Sequence, residues 1–484
     1  MKRSVVLGLV VGVLASVVGA GCTRGGGGAE LGPVTQLNEK DGGAASFSWA
    51  YYTSVIADGD RVAVAWMDQN GKQNRNVMTR VSNDRGKTWS SSFALNEPDF
   101  ANTISVVPTL HQLPAENELL ALWQTRKNEA GQKFVLVRRS TDFGKTWGEA
   151  KTLNVRMQSF LPVYAQRPDG AMIVAWTDER NIFRDIYVNR SLDGGKTWLE
   201  PDVLVSKLPR SEAGAPALAI GDGDEAFLVW EERPHQRKEG GLPYMSAARS
   251  TDMGATWSQP NRVEAGDDLP SPMWPQMIYN DGLLTLVWAG GITGQKRGSW
   301  LWMSQSSDGG KTWNDPTEIY AGRSQPFFHL KTKGPQVYLA WHGGEDDKPG
   351  RIYWNASDDG GKTWRQPWDQ PVRIGKSDRA FHPRIAVAPD SDNVAITWQE
   401  NDTRVAVSVS KDLGKTWPID DVTVVTAEPD GGDTLRNPQV AVAASAAYVL
   451  WERWPDKKKH IKSFADVNKV LPKDDFVRRV DIAP

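Results

Sequence analysis

The octapeptide Ser82-Asn83-Asp84-Arg85-Gly86-Lys87-Thr88-Trp89 recurs, with small changes, six more times along this 484-residue chain. The later copies carry their Asp and Trp at Asp142 and Trp147, Asp193 and Trp198, Asp252 and Trp257, Asp308 and Trp313, Asp359 and Trp364, and Asp412 and Trp417. Between them runs a second marker, a β-rich segment ending in Trp, first met as Val62-Ala63-Val64-Ala65-Trp66 and repeated at Trp123, Trp176, Trp230, Trp288, Trp341, Trp398 and Trp451. These eight markers stand 53 to 58 residues apart. That spacing holds about four short strands, the content of one propeller blade. Length alone would suggest about three domains, but evenly spaced repeats favour one closed ring. The expected fold is all-β: a single β-propeller of four-stranded antiparallel blades, eight in number, with seven complete repeats and one degenerate.

The octapeptide has the chemistry of a turn. Its Asp can accept backbone N–H bonds, its Gly can take positive φ, and its Trp can cover the apolar underside of a hairpin. The pattern Ser-x-Asp-x-Gly-x-Thr-Trp resembles the Asp box, or BNR repeat, of the sialidase-type β-propellers. That resemblance implies a hairpin between the third and fourth strands of each blade, on the face opposite the ligand site. It assigns Asp84, Asp142, Asp193, Asp252, Asp308, Asp359 and Asp412 to structure rather than to catalysis.

The eighth repeat keeps its marker at Trp451 but reads His460-Ile461-Lys462-Ser463-Phe464-Ala465-Asp466 where a box would stand, without Gly or Trp. Near the start, Gln36-Leu37-Asn38-Glu39 echoes Ala94-Leu95-Asn96-Glu97, which follows the first box. Residues 33–38 therefore read as a fourth strand lacking its own first three. Such a strand would close the ring against residues 440–443 and 448–451 and remove open sheet edges. Residues 476–482 are the competing candidate for completing the eighth blade.

The chain opens with Lys2-Arg3, an apolar run over residues 5–18, and Gly19-Ala20-Gly21-Cys22. The run is short and Gly-rich for a membrane span and reads as a secretory signal. It resembles a bacterial lipoprotein signal, with Gly19 where the family usually has Leu. The resemblance implies cleavage before Cys22, lipidation of Cys22 and anchoring of the exported body at the cell envelope; an unlipidated secretory signal is the alternative. The expected organisation is signal peptide 1–21, lipidated Cys22 and Gly-rich tether 22–31, and propeller 32–484.

Composition narrows the chemistry. Lys and Arg number 57 against 59 Asp and Glu, for a net charge of −2, so binding through a nucleic-acid backbone is not expected. Cys22 is the single cysteine, which excludes internal disulfides, and the six His show no ligand spacing; no metal and no cofactor are expected. Trp is abundant at 22, and boxes and markers explain all but Trp49, Trp274, Trp300, Trp302, Trp354, Trp368 and Trp454. Trp49 and Trp274 precede first strands, Trp454 follows the eighth marker, and Tyr52, Phe328 and His382 occupy similar positions. All six map to the face opposite the boxes. Aromatic faces around a central mouth suit the apolar C–H face of a sugar, although they can equally plug a wide channel.

The charged candidates follow the markers: Asp178-Glu179-Arg180, Glu231-Glu232-Arg233, Glu400 with Arg404, and Glu452-Arg453, joined by Arg184, Arg379, Arg384 and Arg436. They fit ion pairs between blades, or guanidinium forks converging on a carboxylate. Of these, Arg180, Arg233, Glu232 and Arg436 are placed at the rim of the expected site.

The sialidase resemblance implies three arginines on a substrate carboxylate, a Tyr nucleophile helped by a Glu, and an acid/base Asp. Its Arg-bearing segment before the first blade has no counterpart: that region reads Phe47-Ser48-Trp49-Ala50-Tyr51-Tyr52, and the nearest string is His382-Pro383-Arg384-Ile385 in the seventh repeat. Catalytic residues are therefore unassigned. Three functions remain open: a monomeric, surface-anchored propeller that binds glycans or another exported ligand; a sialidase-type glycoside hydrolase acting on acidic sugars; and a protein-interaction scaffold.

Overall fold

A computed structural model of the chain describes residues 30–38, 53–70, 74–96, 103–127, 132–155, 159–208, 211–234, 243–263, 271–291, 299–322, 327–344, 350–418, 422–426, 433–454 and 474–482. The leader, Cys22, the tether, Trp49 and Tyr52 lie outside these residues. Among the described residues the regular structure is all strand, and the strands form antiparallel four-stranded blades. Six blades are separate sheets; the first two are joined into one eight-stranded sheet by a single parallel bridge between Arg75 and Ile104. The ring has eight blades.

The first strands of the blades are Thr53–Asp58, Thr103–Gln112, Ser159–Gln166, Ser211–Ile220, Ser271–Asn280, Phe328–Lys333, Ala380–Val387 and Thr434–Val442. They approach their counterparts in neighbouring blades, which places them innermost, around the axis. Eight separate apolar clusters fill the eight interfaces between successive blades, and the cluster holding Val64, Trp66, Tyr448 and Leu450 joins blade eight to blade one. Each marker Trp lies fully inside the interface with the preceding blade, as Trp123, Trp176, Trp230 and Trp398 show. Box Trp residues seal the same interfaces lower down in seven cases; in the interface between blades seven and eight, where no box exists, Phe476 and Ile482 pack against the core.

Every box follows a third strand and folds alike. In the first, Ser82 Oγ donates to Asp84 Oδ1 at 2.8 Å and accepts the Gly86 N–H at 2.8 Å, while Thr88 donates its N–H to Oδ1 at 2.9 Å and its hydroxyl to Oδ2 at 2.6 Å. These donors favour the ionised carboxylate. The Thr hydroxyl and N–H bonds hold the Asp84 and Asp308 carboxyls down at about 2. Gly86 sits at φ 75°, a left-handed position that a Cβ would strain.

Both candidates for the eighth blade are used. Its order is Thr434–Val442, Ala446–Trp454, Asp474–Asp481 and, outermost, the N-terminal strand Leu31–Gln36. The N-terminal strand pairs with Asp474–Asp481, as Val34 with Arg478 and Gln36 with Phe476, and not with residues 440–443 or 448–451 as its sequence position suggests. The displacement follows from the blade plan, which reserves the outermost place for a fourth strand. Leu37 then donates its N–H to Asp475 O at 2.8 Å, and Asn38 accepts the Asp475 N–H at 3.2 Å. Leu95 and Asn96 bond to Val77 in the same manner, which explains the echo between the two segments.

Candidate functional site

The site is positioned by a feature of the first strands. Six of them contain X-Pro: Val107-Pro108, Leu161-Pro162, Ala215-Pro216, Trp274-Pro275, His382-Pro383 and Asn437-Pro438. Pairing with the second strand slips at each, for example between Met273 and Gln276 and between Phe381 and Arg384. Proline has no N–H for a ladder, so it is tolerated where a bulge interrupts pairing on a strand with one free edge. In five of the six the residue before it lies in the left-handed region: φ is 56° at Val107, 46° at Ala215, 52° at Trp274, 54° at His382 and 52° at Asn437. Such backbone costs about 1–3 kcal/mol per residue and re-aims the side chain.

The turn between first and second strands lies beside the box, since Arg85 N–H reaches Asp60 O at 2.8 Å. The bulges, at the opposite ends of the first strands, therefore surround the mouth on the other face. Blades five, six and seven meet there in an aromatic cluster. Trp274 stacks on Phe327 with ring centroids 5.4 Å apart, and His382 meets Phe327 edge-on at 4.3 Å. His342 stacks beneath Phe327 at 5.4 Å, its Nδ1 accepting the Phe327 N–H at 3.1 Å. Trp274, Phe327 and His382 are half-buried, whereas His342 is buried. Burial, and then His382, push His342 down to about 3. Burial, then Arg384 and Arg436, lower His382 to about 4 against the opposing pull of Asp402. Both rings are neutral at pH 7, and His382 sits in a positive field.

The other candidates divide. Arg436 is exposed and lies over the Trp454 ring, 5.3 Å from its centroid, with no carboxylate in reach among the described residues. Trp454 donates its indole N–H to Glu452 at 2.9 Å. Arg233 is 55 % exposed and pairs with Glu231 at 2.8 Å, and Glu231 also accepts the Trp274 N–H at 2.9 Å. Phe328, expected at the mouth, is 4 % exposed and packs in the interface between blades five and six; its neighbour Phe327 takes the mouth position. Arg180 is spent inside blade three, forked onto Asp178 and Asp202 with bonds of 2.6 to 3.0 Å and lying 3.8 Å over the Tyr187 ring. Glu232 is 1 % exposed and accepts the Trp230 indole N–H at 2.7 Å; burial raises its carboxyl pKa.

Asp178 and Glu400 receive the marker indoles of Trp176 and Trp398 in the same way, at 3.0 and 2.9 Å. The recurrent acids after the markers thus anchor Trp side chains two residues back, and the ion pairs of Arg180 and Arg233 run within a blade rather than between blades. Among the described residues no group of His, Cys, Asp and Glu is arranged to hold a metal. Two depressions, of 460 and 270 Å³, lie on the box side between successive boxes, around Trp257 and Lys311 and around Trp354 and Trp417, away from the mouth. Phe327, His342 and the bulge prolines are what sequence reasoning missed. Their signal was the X-Pro pair whose Pro stands 13 to 15 residues ahead of seven of the eight markers, Gln325-Pro326 just before Phe327 among them.

No curated protein matches the chain in sequence. Solved structures resembling it include the Penicillium chrysogenum α-L-arabinanase complexed with arabinobiose, at 16% identity over 68% of this chain and 99% of that one, with a TM-score of 0.42. The polysaccharide lyase Uly1 is 9% identical over 94% of this chain and 100% of the other, with a TM-score of 0.46. The phage phi92 endosialidase is 12% identical over 93% and 69%, with a TM-score of 0.39. The sequence profile described as BNR repeat-like domain matches residues 57–242 and 244–447, most of the eight-bladed ring, and the chain belongs to that family.

Proposed function

We propose that the mouth opposite the boxes binds a carbohydrate without turnover, one sugar ring resting on Trp274, Phe327 and His382 with Arg436 and Trp454 at the rim. The observation that carries this is the cluster itself: three half-buried rings from three consecutive blades, two of them set on left-handed bulges. Backbone strain of that kind persists only where the surrounding structure over-determines it, and it gathers at ligand sites. Aromatic faces suit the C–H face of a pyranose. A glycosidase needs two carboxylates about 5–9 Å apart and free to act on the substrate. Here Asp178, Glu232 and Glu400 hold indoles, Glu231 holds the Trp274 N–H, and Glu452 accepts from Asn437 and Trp454.

Export on the 1–21 signal and anchoring through lipidated Cys22 complete the proposal; they rest on the sequence. A glycan array probed with the purified protein, beside a fluorogenic sialoside assay, tests the function. Array binding without sialoside turnover is expected. Turnover would favour the hydrolase, and silence in both assays would leave the scaffold reading ahead.

A further inference from the structure

The two ends of the N-terminal strand lie on opposite faces of the ring. Leu31 pairs with Val480, and Glu30 O accepts the Asp481 N–H at 2.8 Å. Asp481 also accepts from Arg85 of the first box at 2.9 Å, and Arg479 donates to Arg85 O at 3.2 Å. The next N–H, of Ile482, reaches Ser445 O at 2.9 Å, in the turn between the first two strands of blade eight. Boxes and these turns share one face, so the N-terminal strand begins there. Its far end is level with the mouth: Gln36 and Asn38 donate to Asp474 at 3.2 and 3.1 Å, and Asp474 pairs with Arg453, next to the rim residue Trp454.

The entry point is fixed. Arg478 donates to Gly32 O at 2.8 Å, and Leu37 is fully buried in the interface between blades eight and one. Seven residues separate Cys22 from Glu30. Eight peptide steps reach about 29 Å at full extension. The blade has a similar height, since Ala446–Trp454 runs from one face to the other and a strand of that length covers about 27 Å. A body turned mouth-down would need the whole tether drawn taut along its flank before Cys22 met the lipid, whereas a body resting on its box face needs little of it.

We infer that the box face is the membrane-facing surface of the anchored protein, laid against a lipid headgroup layer, and that the mouth is held pointing away from that membrane. The inference rests on the lipidation of Cys22 proposed above and is independent of what the mouth binds. The chemistry of the face agrees. Six of the seven boxes expose a lysine after the glycine: Lys87, Lys145, Lys196, Lys311, Lys362 and Lys415. Among the described residues only Lys362 of these pairs with a carboxylate, Asp281 at 3.1 Å. The turn carboxylates Asp60, Asp169 and Asp224 are met instead by Arg85 and Arg167. Exposed ammonium groups suit anionic headgroups. Glu116, Asp390 and Asp392 are interspersed on the same turns, so the face is mixed in charge and the tether sets its orientation.

Energy transfer to the lipid surface tests this. Cys22 is the single cysteine and is acylated in this reading, so an introduced thiol takes a dye alone. Ile182, 93 % exposed in the link between the second and third strands of blade three, and Lys196, on the box of the same blade, sample the two faces. Ile182→Cys and Lys196→Cys are purified with the anchor, labelled, and reconstituted into phosphatidylcholine–phosphatidylglycerol vesicles with an acceptor on the headgroup. Because the height of the blade separates the two dyes, the Lys196→Cys donor should be quenched at least about twofold more strongly than the Ile182→Cys donor. Inserting about twenty Gly and Ser residues after Gly28 adds about 70 Å of reach and should shrink the difference. Flotation with the vesicles reports the anchor separately. Loss of flotation would remove the anchor and this orientation with it; flotation with equal quenching of both dyes, or with stronger quenching of Ile182→Cys, would overturn the orientation alone.

Discussion

At the scale of the residue, each box is a carboxylate wrapped by donors that require it to be ionised. Asp308 accepts from Ser306, from the Thr312 N–H and from the Thr312 hydroxyl, the last at 2.6 Å. Its folded pKa, about 2, lies below the ordinary Asp value near 4. Linkage then fixes the sign: the box contributes stability above about pH 4 and loses it as pH falls toward 2. Seven boxes act together, so the urea midpoint should drop steeply across that window, and Asp308→Asn should make the drop shallower. A midpoint that stays flat from pH 4 to 2 would contradict this account of the turn. Single residues at the mouth are harder to read than boxes. Successive side chains of a strand point to opposite faces, so a one-residue uncertainty in register exchanges Phe327 for Phe328. The bulge positions Trp274 and His382 were legible as aromatics outside the repeat, but Arg180 and Glu232 looked like ligands because Asp202, which pairs with Arg180, stands 22 residues along the chain, and because only the fold turns the Trp230 indole back onto Glu232 of its own strand.

At the scale of the element, the first strand carries the most information and the least obvious pattern. A Pro within a run argues against a strand unless that strand has a free edge, and freedom of the inner edge is a property of the closed ring. That is why box and marker periodicity was readable while the X-Pro bulges were not. The bulge makes its own prediction. Ala215 has no aromatic side chain to present yet stands at φ 46°. Left-handed backbone costs a Cβ-bearing residue about 1–2 kcal/mol, and glycine loses about 0.5–1 kcal/mol more in chain entropy on folding. Ala215→Gly should therefore stabilise the protein by about 0.5–1 kcal/mol in urea melts. A loss of about 1 kcal/mol or more would show that the bulge is not strained.

At the scale of the whole molecule, the ring is closed by its two ends, Leu31–Gln36 lying on Asp474–Asp481. Eight blades followed from the eight markers, but the strand order of the last blade required the partner strand to be seen. Deleting residues 30–38 strips Leu37 from the interface of blades eight and one and bares the edge of Asp474–Asp481. Unpaired edges template association, so the shortened chain should melt lower and elute as larger species on size exclusion than the intact chain does. An unchanged melting temperature and elution would show that closure does not depend on this strand.

The central claim is that the bulge-borne aromatics at the mouth, rather than the box face, meet the ligand. It is tested most directly by calorimetry of an array-positive glycan against the wild type, Trp274→Ala and Lys311→Ala, the last beside the 460 Å³ depression between boxes. Loss of about 1–2 kcal/mol of stacking predicts that Trp274→Ala binds about 5- to 30-fold more weakly while Lys311→Ala binds as the wild type does. Unchanged affinity in Trp274→Ala together with loss in Lys311→Ala would place the ligand on the opposite face and contradict the account.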